Sequence, residues 1–132
     1  MPNIYLIGAI VWGGVILFLT TMPFEYDPDA AWYWDFDQAD KVVHAGLFAI
    51  FSFLILSGFK KQHKSIFIST HALLICILCS ALFGIITEVA QYYIPSRSPD
   101  FNDLLADLLG TIVGIAMFYL QKKIKLLVNK AK

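Results

Sequence analysis

Residues 88–107 read EVAQYYIPSRSPDFNDLLAD, a polar turn caught between two long apolar runs. The stretch begins at Glu88, ends at Asp107, and holds four of the chain's ten acids and its only arginine, Arg97. The run 66–94 leads into it and the run 104–120 leads away. With 132 residues, 58% of them hydrophobic and 15% charged, and a mean hydropathy of +0.68, the chain is too apolar for a soluble domain. So small a volume could not hide that much hydrocarbon. The two runs therefore read as membrane crossings, with Pro95 ending the first.

Two further runs precede them. Residues 4–22 hold no Asp, Glu, Lys, Arg or His and are long enough to span a hydrocarbon core of ~30 Å at ~1.5 Å per residue. No Lys or Arg precedes this run and no small-x-small cleavage site follows it, so an uncleaved helix is expected over a signal peptide. The run 42–59 is entered through Asp40, Lys41 and His44 and left through Lys60, Lys61, His63 and Lys64. The fold class that follows is an all-α membrane protein, one domain over residues 1–132. Its four transmembrane helices are expected at about 4–22, 42–59, 66–94 and 102–121.

Charge is sharply segregated between the connections. The loop after the second run and the tail, with Lys122, Lys123, Lys125, Lys130 and Lys132, carry eight of the ten basic residues and no acid. By the positive-inside tendency both face the cytoplasm, which places the N- and C-termini there too. All ten acids, with Lys41 and Arg97, then face the other side. There the loop 23–40 alternates Glu25, Asp27, Asp29, Asp35 and Asp37 with Trp32, Tyr33, Trp34 and Phe36, rings suited to the headgroup level. Tyr92 and Tyr93 extend that belt. A membrane facing the cytoplasm, crossed several times, is the expected location.

Helical spacing sorts the individual groups. Cys76, Ser80, Gly84, Glu88 and Gln91 share one stripe of the third helix, and Asp103, Asp107, Gly110 and Gly114 one stripe of the fourth. Gly110 and Gly114 form a GxxxG pair, so these stripes should face protein rather than lipid. His44, Phe48 and Ser52 repeat the pattern on the second helix. A bundle would thus gather His44, Glu88, Gln91, Asp103 and Asp107 near its outer end. Asp40, Lys41, Arg97 and Asp100 would lie at the rim.

Such a group can bind a hard cation, supply an acid and base pair, or hold a phosphate through Arg97 and Lys41. Bland readings stand beside each use. Asp100 sits at an N-cap position and Asp103 in the first turn, where both complement a helix start. Arg97 can anchor at the interface or pair with Glu88, and Lys41 can snorkel. Glu88 and Asp107 are harder to dismiss, since each lies inside an apolar run where an unpaired charge costs several kcal/mol.

Other features carry less. Cys76 and Cys79 form a CxxC within a membrane run and lack the second ligand pair of a zinc site, so they read as packing residues. His71 is off the small-residue stripe and is expected to donate between helices. No Gly-rich phosphate loop, HExxH or nucleophile elbow is present in the sequence, and no basic aromatic-interleaved patch suggests nucleic acid.

At the polar residues the chain resembles the VanZ-like family of small bacterial membrane proteins. The resemblance rests on Asp40-Lys41-x-x-His44, Glu88-x-x-Gln91 and Pro95-x-Arg97-x-x-Asp100-x-x-Asp103 ahead of a Gly-containing last helix, and covers roughly residues 40–114. It departs at Asp107, where the family often has Asn. What it implies is an envelope role linked by similarity to low-level teicoplanin resistance. The expected function is binding of a lipid head group, a wall precursor or a glycopeptide at the extracytoplasmic face. A membrane enzyme on a lipid-linked phosphate and a scaffold with the cluster as helix glue are the alternatives. No catalytic residue, resident metal or cofactor is assigned. The lipid bilayer is the expected partner, and a homo-oligomer or a membrane partner protein is compatible with the pattern.

Overall fold

A computed structural model describes residues 3–22, 36–62, 64–95 and 97–131. The described residues form five helices: α1 (Ile4–Thr21), α2 (Phe36–Lys61), α3 (Ile66–Thr70), α4 (Ala72–Tyr92) and α5 (Phe101–Lys130). Of these α1, α2, α4 and α5 are long and apolar enough to cross a membrane. The protein is therefore an all-helical membrane protein. The acidic and aromatic residues from 23 to 35, including Trp32, Tyr33 and Trp34, lie outside the described residues, as does His63.

On α4 and α5 the buried face is built from small and polar side chains and the opposite face from large apolar ones. On α4 the buried residues are Ala72, Cys76, Ser80, Gly84, Thr87 and Gln91, while Leu74, Leu78, Leu82, Ile85 and Val89 are exposed. A soluble helix would reverse that order. Only a hydrocarbon solvent makes it stable, because lipid gives apolar side chains no reason to turn inward and lets small residues bring backbones together.

Helix starts are set locally. The Asn3 side chain accepts from the backbone N–H groups of Tyr5 (3.2 Å) and Leu6 (3.4 Å), and Asp100 accepts from that of Asn102 (2.9 Å). Ser65 does the same for α3 through the Ile68 N–H (3.3 Å). Two long-range bonds fix the order of the ends. Asn3 Nδ2 donates to the Gly58 carbonyl (2.7 Å), and Gln91 Nε2 donates to the Thr20 carbonyl (3.1 Å). The start of α1 thus meets the end of α2, and the end of α1 meets the end of α4.

Of the four spanning helices α2 is the most buried, packing against α1, α4 and α5. Its contact with α5 is backbone to backbone. A Cβ added at Gly110 would strike the Ala45 carbonyl, and one at Gly114 the Ala49 carbonyl and Ser52 Oγ. Ser52 Oγ donates across this seam to the Thr111 carbonyl (3.2 Å). Phe48, Phe51, Leu56, Ile16 and Phe83 fill the core, with the Phe51 and Phe83 rings stacked at 4.8 Å. Between α1 and α4 the packing is open, leaving an apolar groove of about 550 Å³ lined by residues such as Leu6, Gly13, Leu17, Phe83 and Ile86.

Several boundaries differ from the sequence expectation. The run 66–94 is two helices broken at His71, whose backbone (φ −93°, ψ 13°) leaves helical geometry. No proline or glycine marks the break; α3 is Ile-Phe-Ile-Ser-Thr, five residues of modest helix propensity. His71 is exposed, and its Nδ1 lies 3.0 Å from the carbonyl of Phe67, one turn back, so it is a local partner rather than an interhelical donor. Helix α4 stops at Tyr92, short of Ile94, since the chain must leave helical geometry ahead of Pro95. Helix α2 starts at Phe36, so Asp40 and Lys41 lie within its first turns rather than in a loop before it. Helix α5 continues past residue 121 to Lys130 because Gln, Lys and Leu are good helix formers and nothing interrupts them. At ~1.5 Å per residue it outlasts a ~30 Å core, so the lysine end projects beyond the apolar layer.

Candidate functional site

Each spanning helix except α1 delivers polar side chains to one end of the bundle. The first turns of α2 bring Asp40, Lys41 and His44, the last turn of α4 brings Glu88, and the start of α5 brings Asp103 and Asp107. Because α2 and α5 begin where α4 ends, residues distant in sequence converge.

At the centre is a buried pair. His44 Nδ1 lies 2.9 Å from Asp107 Oδ1, and each residue is 1% exposed. The other oxygen, Asp107 Oδ2, has no hydrogen-bond partner among the described residues. Gly84 faces it: a Cβ there would come 3.0 Å from Asp107 Oδ2 and 3.0 Å from Leu104 Cδ1. Glycine at 84 is thus what admits the carboxylate between α4 and α5.

Glu88 is divided in the same way. Its Oε2 accepts from the Asp100 backbone N–H (2.9 Å), which ties the end of α4 to the cap of α5, while its buried Oε1 has no partner among the described residues. Of the two bland readings of Arg97, pairing with Glu88 is not what the described residues show; its Nη1 lies 3.4 Å from Asp40 Oδ2. Lys41 Nζ stands 3.8 Å from Asp100 Oδ2, with both side chains partly exposed.

Asp100 is an N-cap, as its position suggests. Its Oδ1 accepts from the Asn102 backbone N–H (2.9 Å) and from Asn102 Nδ2 (3.0 Å). The donated Asn102 N–H holds the Asp100 carboxyl below the ordinary aspartate range, with the Asn102 side chain and Lys41 adding to the effect. Asp103, one turn on, is buried instead.

Two groups of ligand-type atoms emerge. Asp40, His44 and Asp103 offer three such atoms within 4.8 Å of one another, and so do His44, Glu88 and Asp107. His44 belongs to both. Of the residues expected from sequence, Asp40, Lys41, His44, Glu88, Arg97, Asp100, Asp103 and Asp107 are linked by these contacts. Gln91 is not part of that linkage: its amide N–H is spent on the end of α1, and its Oε1 is buried without a partner among the described residues.

Sequence reasoning passed over Thr87 and Thr111. Both are buried, and their hydroxyls donate to carbonyls of their own helices, Thr87 to Gly84 (2.7 Å) and Thr111 to Asp107 (2.9 Å). Their spacing was the available clue, since Thr87 continues the Ser80, Gly84, Gln91 stripe and Thr111 lies one turn beyond Asp107. Cys76 and Cys79 are free thiols, Cys76 buried with Sγ 3.4 Å from the Ser52 carbonyl, which is a packing role.

Chemically the cluster is rich in acceptors. Five carboxylates meet one imidazole, one ammonium and one guanidinium, and the paired cations sit towards the rim while unpaired oxygens point inward. Such a site suits a ligand that brings hydrogen-bond donors or positive charge. A family model described as VanZ/LLP1 matches residues 5–122. No curated protein and no solved structure matches the chain.

Proposed function

The chain belongs to the VanZ/LLP1 family, and from that premise we propose that it is a bacterial cytoplasmic-membrane protein that binds the polar head of an envelope amphiphile without turning it over. The head group sits in the cluster of His44, Glu88, Asp103 and Asp107, with Asp40, Lys41, Arg97 and Asp100 at its rim, on the extracytoplasmic side. A lipid, a wall precursor and a glycopeptide such as teicoplanin all belong to the class, and what selects among them is the presence of amine or hydroxyl donors.

The observation that carries this reading is the pair of buried, unpartnered oxygens, Glu88 Oε1 and Asp107 Oδ2. Polar residues serving only to join helices are expected to satisfy one another, because an unmet acceptor in a dry interior is costly. Here the joining bonds use one oxygen of each carboxylate and leave the other for a donor.

The test is binding by full-length protein in nanodiscs. Phosphatidylethanolamine, a lipid-linked wall precursor and teicoplanin are the probes, with phosphatidylcholine as the donor-free comparison. At least one donor-bearing probe should bind, and Glu88→Gln and Asp107→Asn should each weaken it by about tenfold, the value of one charged hydrogen bond. If both variants retain every interaction of the wild type, the reading fails.

A second reading has one specific observation in its favour. The His44–Asp107 contact is the geometry in which a carboxylate orients an imidazole as a base. Turnover of a lipid phosphate that is lost in His44→Gln would favour it.

A further inference from the structure

We infer that His44, Glu88 and Asp107 form a binding site for a divalent transition-metal ion of the Zn²⁺ class. Each comes from a different helix, α2, α4 and α5, so the donor set is held by the bundle rather than by a loop. One donor atom from each lies within 4.8 Å of the others, close enough for a single ion to draw them together by small side-chain rotations. The 2.9 Å separation of His44 Nδ1 and Asp107 Oδ1 is that of a hydrogen bond, and an opening of about 0.5 Å brings it to the ~3.4 Å between tetrahedral ligands at about 2.1 Å from one ion.

The unmet oxygens point to an occupant. Asp107 is 1% exposed and its Oδ2 has no partner among the described residues; the same holds for the buried Glu88 Oε1. Gly84 keeps the space beside Asp107 Oδ2 free of a side chain. Two carboxylates this close in a low-dielectric interior repel, and a dication between them removes that cost. The donor types select the ion, since an imidazole with carboxylates suits Zn²⁺ and its neighbours in the first transition row better than Mg²⁺ or Ca²⁺. Three protein ligands leave coordination positions for water or a ligand head.

The neighbouring group of Asp40, His44 and Asp103 fits less well. Asp40 already pairs with Arg97 at 3.4 Å, and none of the buried unpartnered oxygens among the described residues belongs to Asp40 or Asp103. The ion shares the cluster with the proposed head group but does not depend on it.

The experiment uses the tag-free full chain in detergent, stripped with a chelator and titrated with Zn²⁺, and with Co²⁺ as a spectroscopic probe. The expected result is one Zn²⁺ per chain by elemental analysis and visible Co²⁺ bands. Glu88→Gln and Asp107→Asn should each weaken Zn²⁺ binding by about tenfold or more. Size-exclusion profiles and helical content confirm folding, and Glu88→Gln, the less buried position, carries the test if Asp107→Asn does not fold. Absence of stoichiometric binding, or variants that bind like the wild type, overturns the site. So does loss of binding in Asp40→Asn with retention in Glu88→Gln, which moves the ion to the other group. Repeating the amphiphile assay on metal-free protein separates the two ideas: head-group binding without Zn²⁺ binding removes the ion alone, and the reverse removes the head group alone.

Discussion

Asp100 and Asp107 are both aspartates at the start of α5, yet one is a structural cap and the other an internal acid with an unmet oxygen. The difference lies in depth, and it gives opposite predictions. Asp100→Ala should lower the melting temperature of the detergent-solubilised protein, while Asp100→Asn should largely keep the cap. Because the folded Asp100 carboxyl is held below its unfolded value, its contribution is fully present above about pH 4 and lost as pH falls further through the folded value. A melting series from pH 7 to pH 3 should therefore show a steeper acid loss in the wild type than in Asp100→Asn. Asp107→Asn, measured without metal, should leave the melting temperature unchanged or raised, because the amide oxygen still reaches His44 and a buried charge is removed. A large drop would instead mark Asp107 as helix glue. Glu88 and Asp107 were conspicuous from sequence because each interrupts an apolar run; that Asp107 meets His44 rather than a cation depends on the approach of α2.

At the scale of elements, the α2 and α5 seam is the tightest junction, and the GxxxG spacing announced it. Gly110→Ala or Gly114→Ala should force the backbones apart and cost about 1–3 kcal/mol, the range for overpacking a close-fitted interior. Gly46→Ala is the contrast, since nothing lies within 4 Å of a Cβ there; better helix propensity should make it neutral or stabilising by up to about 1 kcal/mol. Reversible unfolding in mixed micelles measures all three. Spacing also named the buried face of α4 from Cys76 to Gln91, but not the break at His71, where no Gly or Pro stands in the sequence. Nor did it reveal how far α2 and α5 run past the apolar core, because polar residues beyond a membrane can be helix or loop with equal ease.

At the scale of the molecule, the charges divide by end. Described lysines other than Lys41 lie with the start of α1 and the end of α5, where Lys61 Nζ meets the Tyr5 hydroxyl at 2.6 Å and sits 3.9 Å over its ring. Asp40, Glu88, Asp100, Asp103 and Asp107 lie at the opposite end. If that asymmetry sets orientation, cysteines introduced at Ser98 and Lys64 into a protein lacking Cys76 and Cys79 should behave differently in intact cells. Ser98→Cys should react with a membrane-impermeant thiol reagent, and Lys64→Cys only after permeabilisation. The reverse pattern would place the polar cluster in the cytoplasm and remove the extracytoplasmic role.

The sequence by itself determined the membrane class, the four spanning segments and which helix faces turn inward. These follow from the length and period of apolar runs, and both act through nearest neighbours along one helix. The tertiary structure alone decided the partners: Asp107 with His44, Glu88 with the Asp100 amide, Arg97 with Asp40 and Gln91 with the Thr20 carbonyl. Those pairings depend on how close two helices approach and at what register, and that is set by glycines such as Gly84 and Gly110 acting across the bundle. Within the stretch from Glu88 to Asp107, the order of residues already marked Asp100 as a cap and Glu88 and Asp107 as internal acids, but only packing left one oxygen of each internal acid without a partner among the described residues.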